Sequence, residues 1–127
     1  MRLFLCAIAF VPLLVACTGN PSAPLSIGIN DSGKQLALAT GSEVILRLPA
    51  TPSTGYRWQW ASALPEAVHC KELPLAMSQD DLPGAPGEQQ WQCQLPQKGR
   101  FVLTLDYLRS WEKLPPVRTF NVTLQVR

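Results

Sequence analysis

Apolar and polar residues alternate with a period of two along much of the chain beyond residue 24. The pattern is cleanest near the C-terminus. There Phe101, Leu103, Leu105 and Tyr107 alternate with Val102, Thr104 and Asp106, and Phe120, Val122, Leu124 and Val126 alternate with Asn121, Thr123, Gln125 and Arg127. Such alternation belongs to a strand with one face on a core and one face in water. Earlier, Val44, Leu46 and Leu48 oppose Glu43, Ile45 and Arg47, which predicts a strand over Glu43 to Leu48 ended by Pro49 and Pro52. Tyr56, Trp58 and Trp60 share a face opposite Arg57 and Gln59, as aromatics do on a half-buried strand. Gln89, Trp91 and Cys93 share another over Glu88 to Leu95.

The intervening segments are turns. Asn30-Asp31-Ser32-Gly33 separates short strands at Leu25 to Ile29 and Gln35 to Ala39, and Thr40-Gly41-Ser42 and Pro96-Gln97-Lys98-Gly99 follow the same chemistry. His69 to Met77 reads as an irregular strand interrupted by Pro74, and Glu66-Ala67-Val68 as a brief helical turn. Gln79 to Gly87 is a loop. With 12 prolines and 8 glycines in 127 residues, many short strands are favoured over long helices. The expectation is all-β: an immunoglobulin-like antiparallel sandwich of seven or eight strands in one domain, with 46% hydrophobic residues available for its core.

Charge narrows the partners. A formal charge of +2 with no Lys/Arg run gives no electrostatic grip on nucleic acid. The N-terminus is more informative. After Met1-Arg2, an apolar run from Leu3 to Ala16 covers about fourteen residues, short of the roughly 20 a membrane-spanning helix needs and suited to a signal-peptide core. It ends in Leu14-Val15-Ala16-Cys17, which resembles a bacterial lipobox. The organisation expected is a signal peptide over 1–16, a lipidated Cys17 with a tether over 17–24, and a domain over 25–127. Thr18 in place of an aspartate favours the outer membrane, with the domain facing the periplasm. Cys6 leaves with the leader and Cys17 carries lipid, so Cys70 and Cys93 remain to bridge in an oxidising compartment. These two with the single His69 make no four-ligand metal site, and no cofactor is implied.

If successive strands reverse direction, loops at every second connection share one end of the sandwich. Thr51-Pro52-Ser53-Thr54-Gly55-Tyr56, the loop Leu82 to Gly87 and the segment Arg109 to Pro116 then form one platform, in the manner of antibody binding loops. Thr51 to Tyr56, Gly84-Ala85-Pro86-Gly87 and Arg109-Ser110-Trp111 together resemble the three-loop signature of the chagasin family, inhibitors of papain-like cysteine peptidases. The family's motifs read Asn-Pro-Thr-Thr-Gly-Tyr/Phe, a Gly-x-Gly-Gly type of loop and Arg-Pro-Trp/Phe, in that order on an immunoglobulin-like sandwich. The resemblance runs from about Gly33 to Val126. Thr51, Ser53, Pro86 and Ser110 depart from it.

The resemblance implies a monomeric binding protein, not an enzyme. Thr51 to Gly55 would wedge into the peptidase cleft with Ser53 and Thr54 nearest the catalytic cysteine and histidine. Trp111 would stack on an aromatic surface on the primed side. Arg109 would either support its loop or meet an acidic rim. Leu82, Gly84 and Gly87 would cover the non-primed side. Read without the resemblance, Trp111 has a second option, capping the core. No Ser-His-Asp set exists beyond the lone His69, and the carboxylates Asp80, Asp81, Glu88 and Glu112 have no evident cleft. The alternative function is an envelope lipoprotein that serves binding or assembly with a non-peptidase partner.

Overall fold

The computed structural model describes residues 11–12, 24–77, 84 and 86–127. Cys17, the tether up to residue 23 and Leu82 lie outside the described residues, as does the expected leader apart from Val11 and Pro12. Nine strands follow in chain order: β1 (Leu25–Gly28), β2 (Gln35–Leu38), β3 (Ser42–Ala50), β4 (Arg57–Trp60), β5 (His69–Glu72), β6 (Ala76–Met77), β7 (Gly87–Leu95), β8 (Gly99–Leu108) and β9 (Arg118–Val126). They form two facing sheets. The first has the order β1-β3-β7-β5 with β6 also on β7, and the second has the order β2-β9-β8-β4.

The inward positions read from the alternation make the core. Val44, Leu46 and Leu48 from β3, Trp91, Cys93 and Leu95 from β7, Leu103 and Leu105 from β8, and Phe120, Val122 and Leu124 from β9 are all buried. Trp58 is buried as well, while Trp60 is half-buried and packs edge-on against Trp91 at 5.9 Å between ring centroids. Every core residue falls between Ile27 and Val126, so the chain from Pro24 onward carries the whole described core.

The architecture is the expected all-β sandwich, with local differences. The irregular strand over 69–77 is two strands, because Pro74 has no N–H for the ladder. β5 and β6 both pair with β7 on either side of that break. Two edges are parallel rather than antiparallel: β1 on β3 and β2 on β9. A 3-10 turn at Ile29–Asp31 separates the strands and carries the chain from one sheet to the other. Pro49 does not end β3. β1 pairs only as far as Arg47, so Pro49 sits where β3 has no neighbour on that side and its missing donor costs nothing. The helical turn expected at Glu66 to Val68 is a β-turn closed by the Val68 N–H on the Pro65 carbonyl at 2.9 Å.

Cys70 and Cys93 form a disulfide. They face each other in register across β5 and β7, so the bridge ties β5, at the end of its sheet, to β7. Replacing both cysteines by alanine is expected to cost about 3 kcal/mol from loop-closure entropy. Urea unfolding of residues 18–127 in both forms measures this, and unchanged midpoints would mean that the bridge contributes nothing.

Candidate functional site

Strand register decides where the three loops lie. Ala50 pairs with Gly87, which sets the start of loop 1 (residues 51–56) beside the end of loop 2 (78–86). Arg57 pairs with Leu108, which sets the end of loop 1 beside the start of loop 3 (109–117). Loop 1, loop 3 and the two ends of loop 2 therefore lie at one end of the sandwich, with loop 1 in the middle.

Loop 1 is a short rigid turn. Thr51 precedes one turn of 3-10 helix, Pro52–Thr54, and Gly55 closes it with φ +82°. Pro52 pre-sets the first φ, and Gly55 takes the left-handed conformation that a side chain disfavours. The Thr54 N–H and hydroxyl both donate to the Thr51 carbonyl, at 3.1 and 2.6 Å, and the Gly55 N–H donates to the Pro52 carbonyl at 3.0 Å. The Thr54 hydroxyl is thus spent on holding the loop. Ser53 is exposed, and its hydroxyl makes no hydrogen bond among the described residues.

Beneath the turn lies an aromatic column. Tyr56 packs on Tyr107 at 5.4 Å between ring centroids, and Tyr107 stacks on Trp58 at 4.8 Å. The Tyr107 hydroxyl accepts the Thr51 N–H at 3.1 Å. Trp58 pins the two sheets together. Its indole N–H donates to the Pro49 carbonyl at 2.9 Å, its backbone N–H donates to Gln89 Oε1 at 2.7 Å, and its carbonyl accepts from Gln89 Nε2 at 3.3 Å. Gln89 is the only buried polar side chain among the described residues, and it bonds the outward-facing backbone of an edge strand from across the core. Gln89→Leu strands two buried backbone groups and is expected to cost about 2–3 kcal/mol. At about 4–8 °C per kcal/mol, thermal melts resolve this easily; an unshifted midpoint would remove Gln89 from the account.

Loop 3 is tied to loop 1 by Arg109. Its Nε–H donates to the Thr54 carbonyl at 2.9 Å, its guanidinium pairs with Glu112 at 2.9 Å, and its cation lies 4.3 Å from the centre of the Tyr56 ring. The hydrogen bond that Arg109 donates to Glu112 holds the Arg109 pKa above its ordinary value. Of the two roles open to Arg109 in the sequence, the structure shows it supporting the loops. Ser110 is exposed, within a turn closed by the Glu112 N–H on the Arg109 carbonyl at 3.1 Å.

Trp111 does not cap the core. It is 68% exposed, and the edge of its indole rests on Gly55. A Cβ on Gly55 would stand 2.3 Å from the Trp111 ring, so the glycine is needed for contact as well as for conformation.

Loop 2 is seen at Gly84, exposed with φ +84°, and at exposed Pro86. Gly87 is buried inside β7, where a Cβ would press on the Ala76 carbonyl and Met77 Sδ at 3.0 Å. It lets β6 lie close and sits behind the loop surface, not on it. The bracing roles of Tyr107 and Gln89 have no motif in the sequence, and Glu112, a candidate carboxylate there, serves as the partner of Arg109. A polar residue at an inward position was the one legible signal for Gln89. Tyr107 was indistinguishable from an ordinary core aromatic.

A β-sandwich that offers a cross-braced loop platform, with a small-residue turn at its centre and an exposed tryptophan beside it, defines a protein-binding module. The family follows from comparison. The profile described as "Chagasin family peptidase inhibitor I42" matches residues 37–126, and the chain belongs to that family. No curated protein matches the sequence. Among solved structures, the chain is similar to the cysteine protease inhibitor EhICP2 from Entamoeba histolytica (TM-score 0.72, 20% identity, 81% of this chain and 95% of that one). It is also similar to Amebosin (TM-score 0.67, 23% identity, 84% and 100%) and to PbICP-C, solved in complex with falcipain-2 (TM-score 0.60, 14% identity, 82% and 100%).

Proposed function

We propose that this protein inhibits papain-like cysteine peptidases by seating its three-loop end in the active-site cleft, as a monomer and without a cofactor. The observation that carries this reading is the locking of loop 1 to loop 3 through Arg109 and through the Gly55–Trp111 contact. A rigid platform loses little entropy on docking, which favours tight binding. Loop 1 presents Ser53 at its tip with small neighbours, so its backbone enters a narrow cleft and its hydroxyl meets the polar groups of the catalytic centre. The turn is a closed 3-10 loop, not an extended strand, so no peptide bond lies in line for attack. Trp111 supplies the aromatic anchor on the primed side. Gly84 and the rest of loop 2, Leu82 included, cover the non-primed side. The footprint expected is roughly 1,600 Å².

Inhibition assays with residues 18–127 test this. Sub-micromolar inhibition of papain or a related peptidase, with the inhibitor recovered uncleaved, is the expected result. No inhibition of several papain-like enzymes at micromolar protein would sink the proposal.

The same reading places the domain on a lipid anchor at Cys17 after removal of residues 1–16, at the outer membrane facing the periplasm of a bacterial envelope. Its support is the apolar run ending in Leu14-Val15-Ala16-Cys17. Palmitate labelling of the full chain in a bacterial host is expected to mark the wild type and not Cys17→Ala. Equal labelling of the two contradicts the anchor.

A further inference from the structure

The apolar surface at the loop end extends beyond the residues assigned to the three loops. Leu75, Met77, Trp111, Leu114 and Val117 are exposed there, and among the described residues elsewhere in the sandwich only Leu25 and Val102 are comparable large hydrophobics in water. Apolar groups gathered at one end of a small soluble domain mark a contact surface, whereas single scattered ones do not.

Met77 stands apart from the rest. It ends the two-residue strand β6, is 48% exposed and lies on the opposite side of loop 1 from Trp111. It lines a shallow groove with Pro49, Ala76 and Pro86, floored by Gly87 and with Glu88 as the charged member among the described residues. Gly87 leaves the groove room, because a Cβ there would press on Met77 Sδ and on the Ala76 carbonyl at 3.0 Å. The groove is continuous with the proposed interface at both ends. Pro49 and Ala50 run directly into Thr51, and Pro86 closes loop 2.

We propose that this groove is a fourth contact site, which accepts an apolar side chain from the non-primed wall of the bound peptidase. The proposal rests on the inhibitor reading above. Methionine suits the task because its flexible thioether adapts to side chains of different shape. Peptidases that carry an apolar residue at that wall are then held more tightly than those that carry a charge, so Met77 sets preference among targets while Ser53 and Trp111 serve all of them.

The test compares inhibition constants on papain for residues 18–127 carrying Met77→Glu, Met77→Gln or Met77→Leu, with circular dichroism and thermal midpoints for each. Met77→Glu is expected to weaken inhibition at least tenfold, Met77→Gln by several-fold, and Met77→Leu hardly at all. Met77→Gln is close in length and decides the matter should the glutamate variant fold poorly. If the wild type inhibits and both folded polar variants inhibit equally well, the fourth site is wrong while the three-loop reading stands. If the wild type itself inhibits nothing, both fall together.

Discussion

Gly55→Ala is expected to weaken peptidase inhibition at least 100-fold while costing the domain only about 1–2 kcal/mol of stability. The two effects differ because of where the new methyl group goes. It meets the Trp111 ring at 2.3 Å, and Trp111 is mostly in solvent, so the indole swings away without opening a cavity in the core. The backbone also resists φ +82° once a Cβ is present, which distorts the turn that carries Ser53. One substitution therefore disturbs both the wedge and the anchor. Inhibition constants set beside urea midpoints check this. A large fall in stability with affinity per folded molecule unchanged would show that Gly55 serves folding alone.

Trp111→Ala is expected to weaken inhibition by roughly 30- to 1,000-fold, the range of about 2–4 kcal/mol for an interfacial tryptophan anchor. The melting temperature should hardly move, because so exposed a ring contributes little burial. The pair is informative together. Gly55→Ala acts largely by displacing Trp111, so in the Trp111→Ala background it should cost much less than it does alone, an interaction visible in a double-mutant cycle. Full additivity would mean that the close contact between the two residues has no part in binding.

Much of this fold is written locally. The alternation in β8 and β9 fixed which side chains meet the core, and the punctuation by Pro and Gly fixed where strands end. From these, strand parity brings the three loops to one end, and the register of Ala50 with Gly87 and Arg57 with Leu108 sets loop 1, loop 3 and the end of loop 2 there. What the pattern does not encode is the choice of neighbour. Nothing in the period of Leu25 to Gly28 or Gln35 to Leu38 says that each lies parallel to its partner. Pro49 looks like a strand breaker until the reach of β1 is known.

The bracing of the site was hidden for the same reason. Arg109 bonds the Thr54 carbonyl across 55 positions of sequence, and Gln89 bonds Trp58 across 31. Such contacts are set by the facing of two sheets, and residue type records them only faintly. A buried glutamine is one faint record. Thr54 shows the converse: its residue type offers a hydroxyl to a partner, yet the turn itself uses it, whereas the Ser53 side chain is exposed.

The central claim is that the three-loop end occupies a peptidase's active-site cleft, and protection of the catalytic thiol tests it most directly. Papain is incubated with a slight molar excess of residues 18–127 and then exposed to iodoacetamide, with alkylation of its active-site cysteine followed by mass spectrometry. Strong protection by the wild type, largely lost with Trp111→Ala, is the predicted result. A stable complex whose catalytic cysteine is alkylated as fast as in free papain would contradict the account.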